Sequence, residues 1–168
     1  MPYRIEITLN PELPDAEGEG VCRKAKNYFG ISVQEIRTVH ILTIDAALDL
    51  PQIEVARKQI FTNPVTQISS LDPLVIDFDW IIWVGYRPGV KDNPGSTAME
   101  AMEDLLGIRF NSEESIYTSK RYCIKGAELT HKDMEIIAGE LLANDIIQQW
   151  KIYAPNQWVA QDGIGYVI

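Results

Sequence analysis

The passage best equipped for chemistry is Asp92-Asn93-Pro94-Gly95-Ser96-Thr97. An acid followed by Pro, Gly and two hydroxyl residues opens a helix, whose free first-turn amides can be offered to an anion. The same residues also make a plain cap, with Asp92 accepting from the first turn and Pro94 placed where a missing N–H costs nothing. Capping is the preferred account, because the related passage around Asp15 has no hydroxyl pair. Glu17-Gly18-Glu19-Gly20 places a GxG after a strand, but the third glycine of a dinucleotide-binding turn is absent and the flanking carboxylates repel a pyrophosphate. His40 and His131 have no acid or nucleophile at a recognisable spacing and read as structural or surface residues. Cys22 and Cys123 fall on apolar stripes and read as packed thiols; with no CxxC they suggest neither a disulfide scaffold nor a zinc site. Asp72, Asp77 and Asp79 cluster mid-chain, where the alternation Ile76, Phe78, Trp80 turns the last two to the opposite face, a solvated surface rather than a metal site. No catalytic residue, metal or cofactor is therefore assigned to this chain.

The elements that must position these residues come in duplicate. Sliding the chain by 77 positions lays Tyr3 on Trp80, Ile5 on Ile82, Pro11 on Pro88, Asp15 on Asp92, Gly18 on Gly95 and Tyr28-Phe29-Gly30-Ile31 on Leu105-Leu106-Gly107-Ile108. Further on the offset grows to 81, and Phe61-Thr62-Asn63 meets Leu142-Ala143-Asn144. Each half begins with a strand alternating in hydrophobicity, Tyr3 to Leu9 and Trp80 to Tyr86. A helix capped by Asp15 or Asp92 follows, and Gly30 or Gly107 stands just past its end. The apolar runs Val33 to Asp45 and Glu114 to Lys125 are long for single strands and are expected to be hairpins, the first turning near Thr38 to His40. A second helix covers Ile53 to Thr62 in one half and opens at Thr130 with a capping-box Asp133 in the other, and the last strand takes Ile146 to Tyr153.

The expected fold class is α+β: tandem ferredoxin-like (βαββαβ) units whose antiparallel sheets pack as a pseudo-dimer. The units are residues 1–77 and 78–156, with 157–168 as a C-terminal tail or linker. A unit this small has too little core to stand alone, which calls for packing between the two. Trp80 and Trp83 lie on opposite faces of one strand, so one of them needs cover from the other unit or from a binding partner.

Composition narrows the partners. With 15 Lys and Arg against 24 Asp and Glu, the net charge of -9 has the wrong sign for binding nucleic acid or anionic membrane. The charge is even: 7 basic against 11 acidic residues up to Asp77, and 8 against 13 after it. No stretch approaches the ~18 apolar residues of a membrane span, and the N-terminal residues do not resemble a signal peptide. A cytoplasmic location is expected.

The passages RPGVKDNPGSTAMEAMEDLLGI and LLANDIIQQWKIY, with their first-half counterparts NPELPDAEGEG and FTNPVTQISSL, resemble the small PurS component of phosphoribosylformylglycinamidine synthase and the PurS-like N-terminal domain of its single-chain form. The first half departs at Leu13-Pro14 and at Pro64, in loop detail. The resemblance implies a non-catalytic bridge between a glutaminase and an ATP-dependent synthetase in purine biosynthesis, with ATP and Mg held only by the partner synthetase. A chain with two such units would imitate the family's dimer as a monomer. Its implied contact residues are Asp15, Gly18, Arg87, Asp92, Asn93, Gly95, Ser96, Thr97 and Asn144, each of which turn or cap geometry also explains. The alternative is a small-molecule-sensing module that binds a ligand at the junction of the paired units.

Overall fold

The computed structural model describes residues 2–158. In chain order the elements are β1 (Tyr3–Leu9), α1 (Ala16–Phe29), β2 (Glu35–Asp45), α2 (Leu50–Ala56), a π-helical turn (Arg57–Phe61), β3 (Gln67–Ser70), β4 (Trp80–Tyr86), α3 (Asn93–Leu106), β5 (Ser115–Lys125), α4 (His131–Ile137), a second π-helical turn (Ala138–Leu142) and β6 (Gln148–Tyr153). The fold is α+β. One antiparallel sheet of six strands runs β3-β1-β2-β5-β4-β6. Residues 159–168, most of the tail expected from the sequence, lie outside the described residues.

Two expectations are corrected. The runs expected to be hairpins are single strands of 11 residues each, so each half has three strands rather than four. The halves also do not stack sheet on sheet, because β2 pairs with β5 along its whole length and joins them edge to edge. The physical reason lies in what each end of a long strand buries. Ile36 of β2 enters one apolar cluster and Leu42 and Ile44 enter another, while Ile116 and Ile124 of β5 divide the opposite way. A turn at Thr38 to His40 would break a strand whose two ends are needed in different cores. No Gly or Asn-Gly supplies such a turn.

The two cores interleave the halves. Val21 and Ala25 of α1 pack with Ile82, Val84, Tyr122 and Ile124 of the second half and with Met134 and Ile137 of α4. Ala98 and Met102 of α3 pack with Ile5, Ile7 and Ile44 of the first half and with Ile53 and Ala56 of α2. Each long helix thus crosses to cover strands of the other repeat. The opposite sheet face is covered by the segment joining the halves: Leu74 and Ile76, with Tyr153, pack on Val39, Ile41 and Trp83. Trp80, on the helix side, packs against the first core and sets its ring edge-on to His131 at 6.0 Å.

Local signals hold where they depend on neighbours in sequence. Asp15 and Asp92 cap α1 and α3 by accepting from the amides of Gly18 and Gly95. Gly30 and Gly107 end the same helices in the left-handed conformation, at φ 68° and 65°. Thr130 and Asp133 form the expected capping box, and Asp49 with Gln52 makes another at α2.

Candidate functional site

The β2–β5 register sets His40 opposite Lys120, Ile36 opposite Ile124 and Ile44 opposite Ile116. Since β2 and β5 are equivalent strands of the repeat, a local twofold axis passes through the His40–Lys120 pair. α1 and α3 both begin beside it. The second carboxylate oxygen of Asp15 accepts from the Thr38 amide at 2.7 Å, and that of Asp92 accepts from the Thr118 amide at 2.6 Å. Thr118 lies opposite Leu42, four residues beyond Thr38, so the two helix starts sit roughly 13 Å apart along the strands.

This close seating explains Gly18 and Gly95. A Cβ on Gly18 would run into the Ile36 carbonyl, and one on Gly95 into the Ile116 carbonyl. Asp15, Gly18 and Gly95 are buried and fasten helix to sheet; Asp92 is half-buried and does the same. Arg87, Asn93, Thr97 and Asn144 reach solvent, and Ser96 is half-buried. Arg87 and Asn144 come together at one end of the sheet, where the Arg87 Nε donates to the Asp145 carbonyl at 2.8 Å and the Asn144 side chain accepts from the Ile146 amide. Arg87, Asp92 and Ser96 border a hollow of about 370 Å³. Pro94 and Thr97 instead border the axial cavity, which measures about 590 Å³.

Three residues at the axis were not among the sequence-derived candidates. Glu17 sends one oxygen to His40 Nε2 at 3.3 Å and the other to Lys120 Nζ at 2.8 Å. The His40 hydrogen bond, together with Lys120, outweighs partial burial and holds the Glu17 carboxyl at about 2, well under the ordinary glutamate value. Burial, and the Glu17 charge beside it, push the Tyr122 phenol upward. The sequence offsets of 77 and 81 carry His40 onto Tyr117 or Arg121, so its equivalence to Lys120 emerges only from the β2–β5 register. His40 read as a structural or surface residue, and an expected turn at Thr38 to His40 gave no strand to bring it beside Lys120.

Because the folded-state pKa of Glu17 is depressed, its ionised form stabilises the fold fully above the unfolded-state value, and that contribution is lost as pH falls toward 2. Urea unfolding at pH 5 and at pH 2.5 is expected to show a smaller acid-induced loss of stability in Glu17→Gln than in the unaltered chain. Equal losses would remove Glu17 from the account. The half-exposed position of the pair keeps the effect modest.

Burial raises the thiol pKa of both Cys22 and Cys123, in keeping with packed rather than reactive side chains. Asp77 pairs with Lys125 at 2.9 Å and Asp79 accepts from the Gly126 amide, while Asp72 is exposed. Among the described residues no group of three His, Cys, Asp or Glu side chains stands close enough to hold a metal, and no helix is long and apolar enough to cross a membrane. Compared with known proteins, the chain matches no family model and no curated protein.

Proposed function

We propose that this chain is the non-catalytic bridging part of a phosphoribosylformylglycinamidine synthase, either as a separate subunit or as a segment of a longer enzyme. It links a glutaminase to an ATP-dependent synthetase in the cytoplasm. The observation that carries the proposal is the strand order: β3-β1-β2 is followed by β5-β4-β6, so the repeated landmarks fall at twofold-related places in one sheet. Such a body supports the reading of two interleaved ferredoxin-like units that stand in for a PurS dimer. Four strands, β2-β5-β4-β6, lie under α1 and α4, and an overlapping set, β3-β1-β2-β5, lies under α3 and α2, with β2 and β5 shared. In this reading ATP and Mg belong to the synthetase, and this chain supplies surface and positioning. The solvent-facing residues of the matched loops, Arg87, Asn93, Thr97 and Asn144, are its contact candidates.

The test mixes the chain with glutaminase and synthetase components. Co-elution in size-exclusion chromatography is expected, with a rise in glutamine-dependent turnover while ammonia-dependent turnover stays unchanged. The absence of both co-elution and stimulation would refute the proposal.

A further inference from the structure

The axial cavity has a counterpart that breaks the internal symmetry. The first-half hollow is bordered by Glu17, Gly20, Val21, Lys24 and Lys120. Carried across the twofold, these become Pro94, Thr97, Ala98, Ala101 and His40, which border the larger cavity. On the α1 side, therefore, a carboxylate of the protein itself lies against Lys120 and His40. On the α3 side Pro94 stands in that place and Ala101 replaces a lysine. The remaining walls are mostly apolar, with Ile7, Leu42, Phe61, Val84 and Leu142 drawn from both halves. The volume of about 590 Å³ falls in the usual range for small-molecule sites, roughly 300–1,000 Å³.

We infer that the axial cavity binds a small amphiphilic carboxylate, its apolar body against these walls and its carboxylate accepting from Lys120, beside His40, in the place related by the twofold to Glu17. The charge fits. Lys120 has three donors and gives one to Glu17. With Glu17 opposed by Lys120, the cluster carries no net negative charge within an otherwise acidic chain. A neutral apolar molecule would fill the walls and leave this donor end unused. The inference is independent of the bridging role, since it concerns the chain alone.

Octanoate is the probe and 1-octanol its uncharged control, both titrated calorimetrically into the isolated chain. Octanoate is expected to bind saturably at one equivalent, and octanol at least about tenfold more weakly, as loss of a charged hydrogen bond implies. Pro94→Glu supplies the twofold-related carboxylate from the protein, in a first helical turn where α1 already tolerates one. It is expected to weaken octanoate binding by at least about tenfold. Ala101→Phe, which fills the cavity from the middle of α3, is expected to do the same. Near-ultraviolet circular dichroism identifies the variants that keep native packing. The inference is overturned if octanoate shows no saturable binding, if octanol binds as tightly, or if natively packed variants bind octanoate like the unaltered chain.

Discussion

Gly18→Ala is expected to destabilise the protein by about 3 kcal/mol, at the upper end of what an extra methyl group costs where neighbours cannot yield. The added Cβ would meet the backbone carbonyl of Ile36 rather than the end of a flexible side chain. Relief requires α1 to lift off the sheet. That movement strains the Asp15 carboxylate, which spans helix and strand by accepting from the amides of Gly18 at 2.9 Å and Thr38 at 2.7 Å. It also withdraws Val21 and Ala25 from a core belonging largely to the other half. Gly20→Ala, two positions along the same helix, is the control. Its Cβ would meet only an Arg23 nitrogen at 3.9 Å, so the better helix propensity of alanine should stabilise by about 0.5–1 kcal/mol. Urea denaturation of both variants checks the pair of signs. A Gly18→Ala variant as stable as Gly20→Ala would mean that α1 is not seated against Ile36 as described.

The second large effect concerns the face opposite the helices. Arg121 and Glu6 are 2% and 0% exposed and meet at 2.7 Å, joining β5 of one half to β1 of the other. Glu6 also accepts from the Leu74 amide, and Arg121 donates to the Leu74 carbonyl, so the pair pins the connecting segment to the sheet. Arg4 approaches the second Glu6 oxygen at 3.1 Å. Among the described residues Glu6 is the one carboxylate within ion-pair distance of Arg121. Glu6→Leu should therefore cost about 3–5 kcal/mol, since it strands a buried guanidinium. For a chain of this size that corresponds to a melting-temperature drop of roughly 6–20 °C. Combining it with Arg121→Met should recover much of the loss, because a buried ion pair and an apolar pair of similar volume are often close in stability. A double-mutant cycle measures the coupling. A single variant costing less than about 1 kcal/mol, or a double variant no better than the single, would refute the role given to this pair.

Both effects depend on contacts between residues far apart in the chain. That is also the line between what could be read early and what could not. The caps at Asp15, Asp92 and Thr130 and the glycines at 30 and 107 were legible because their partners lie within a few residues. The repeat makes the two halves visible in the sequence and pairs Asp15 with Asp92 and Gly18 with Gly95. It did not reveal why those glycines matter, since the carbonyls they approach, on Ile36 and Ile116, lie on strands reached only through the tertiary packing. The error over the hairpins has the same origin. Period and composition mark Glu35–Asp45 as extended, but a straight strand and a hairpin share that local signature. What decides is whether both ends have apolar surface to bury.

The sequence by itself determined the α+β class, the internal duplication, the caps and end glycines of the two long helices and an even acidic charge. All of these follow from short-range propensity, periodicity and composition. The helix expected from Ile53 begins three residues earlier, at Leu50. The tertiary structure alone decided that β2 and β5 run unbroken side by side, that α1 and α3 exchange halves, and that Glu17, His40 and Lys120 meet on the axis. The reason is energetic. Each half has three strands, and the long helix of each packs into a core drawn largely from the other half, so two halves sharing one sheet bury Ile36, Ile44, Ile116 and Ile124 together with the helices that cover them.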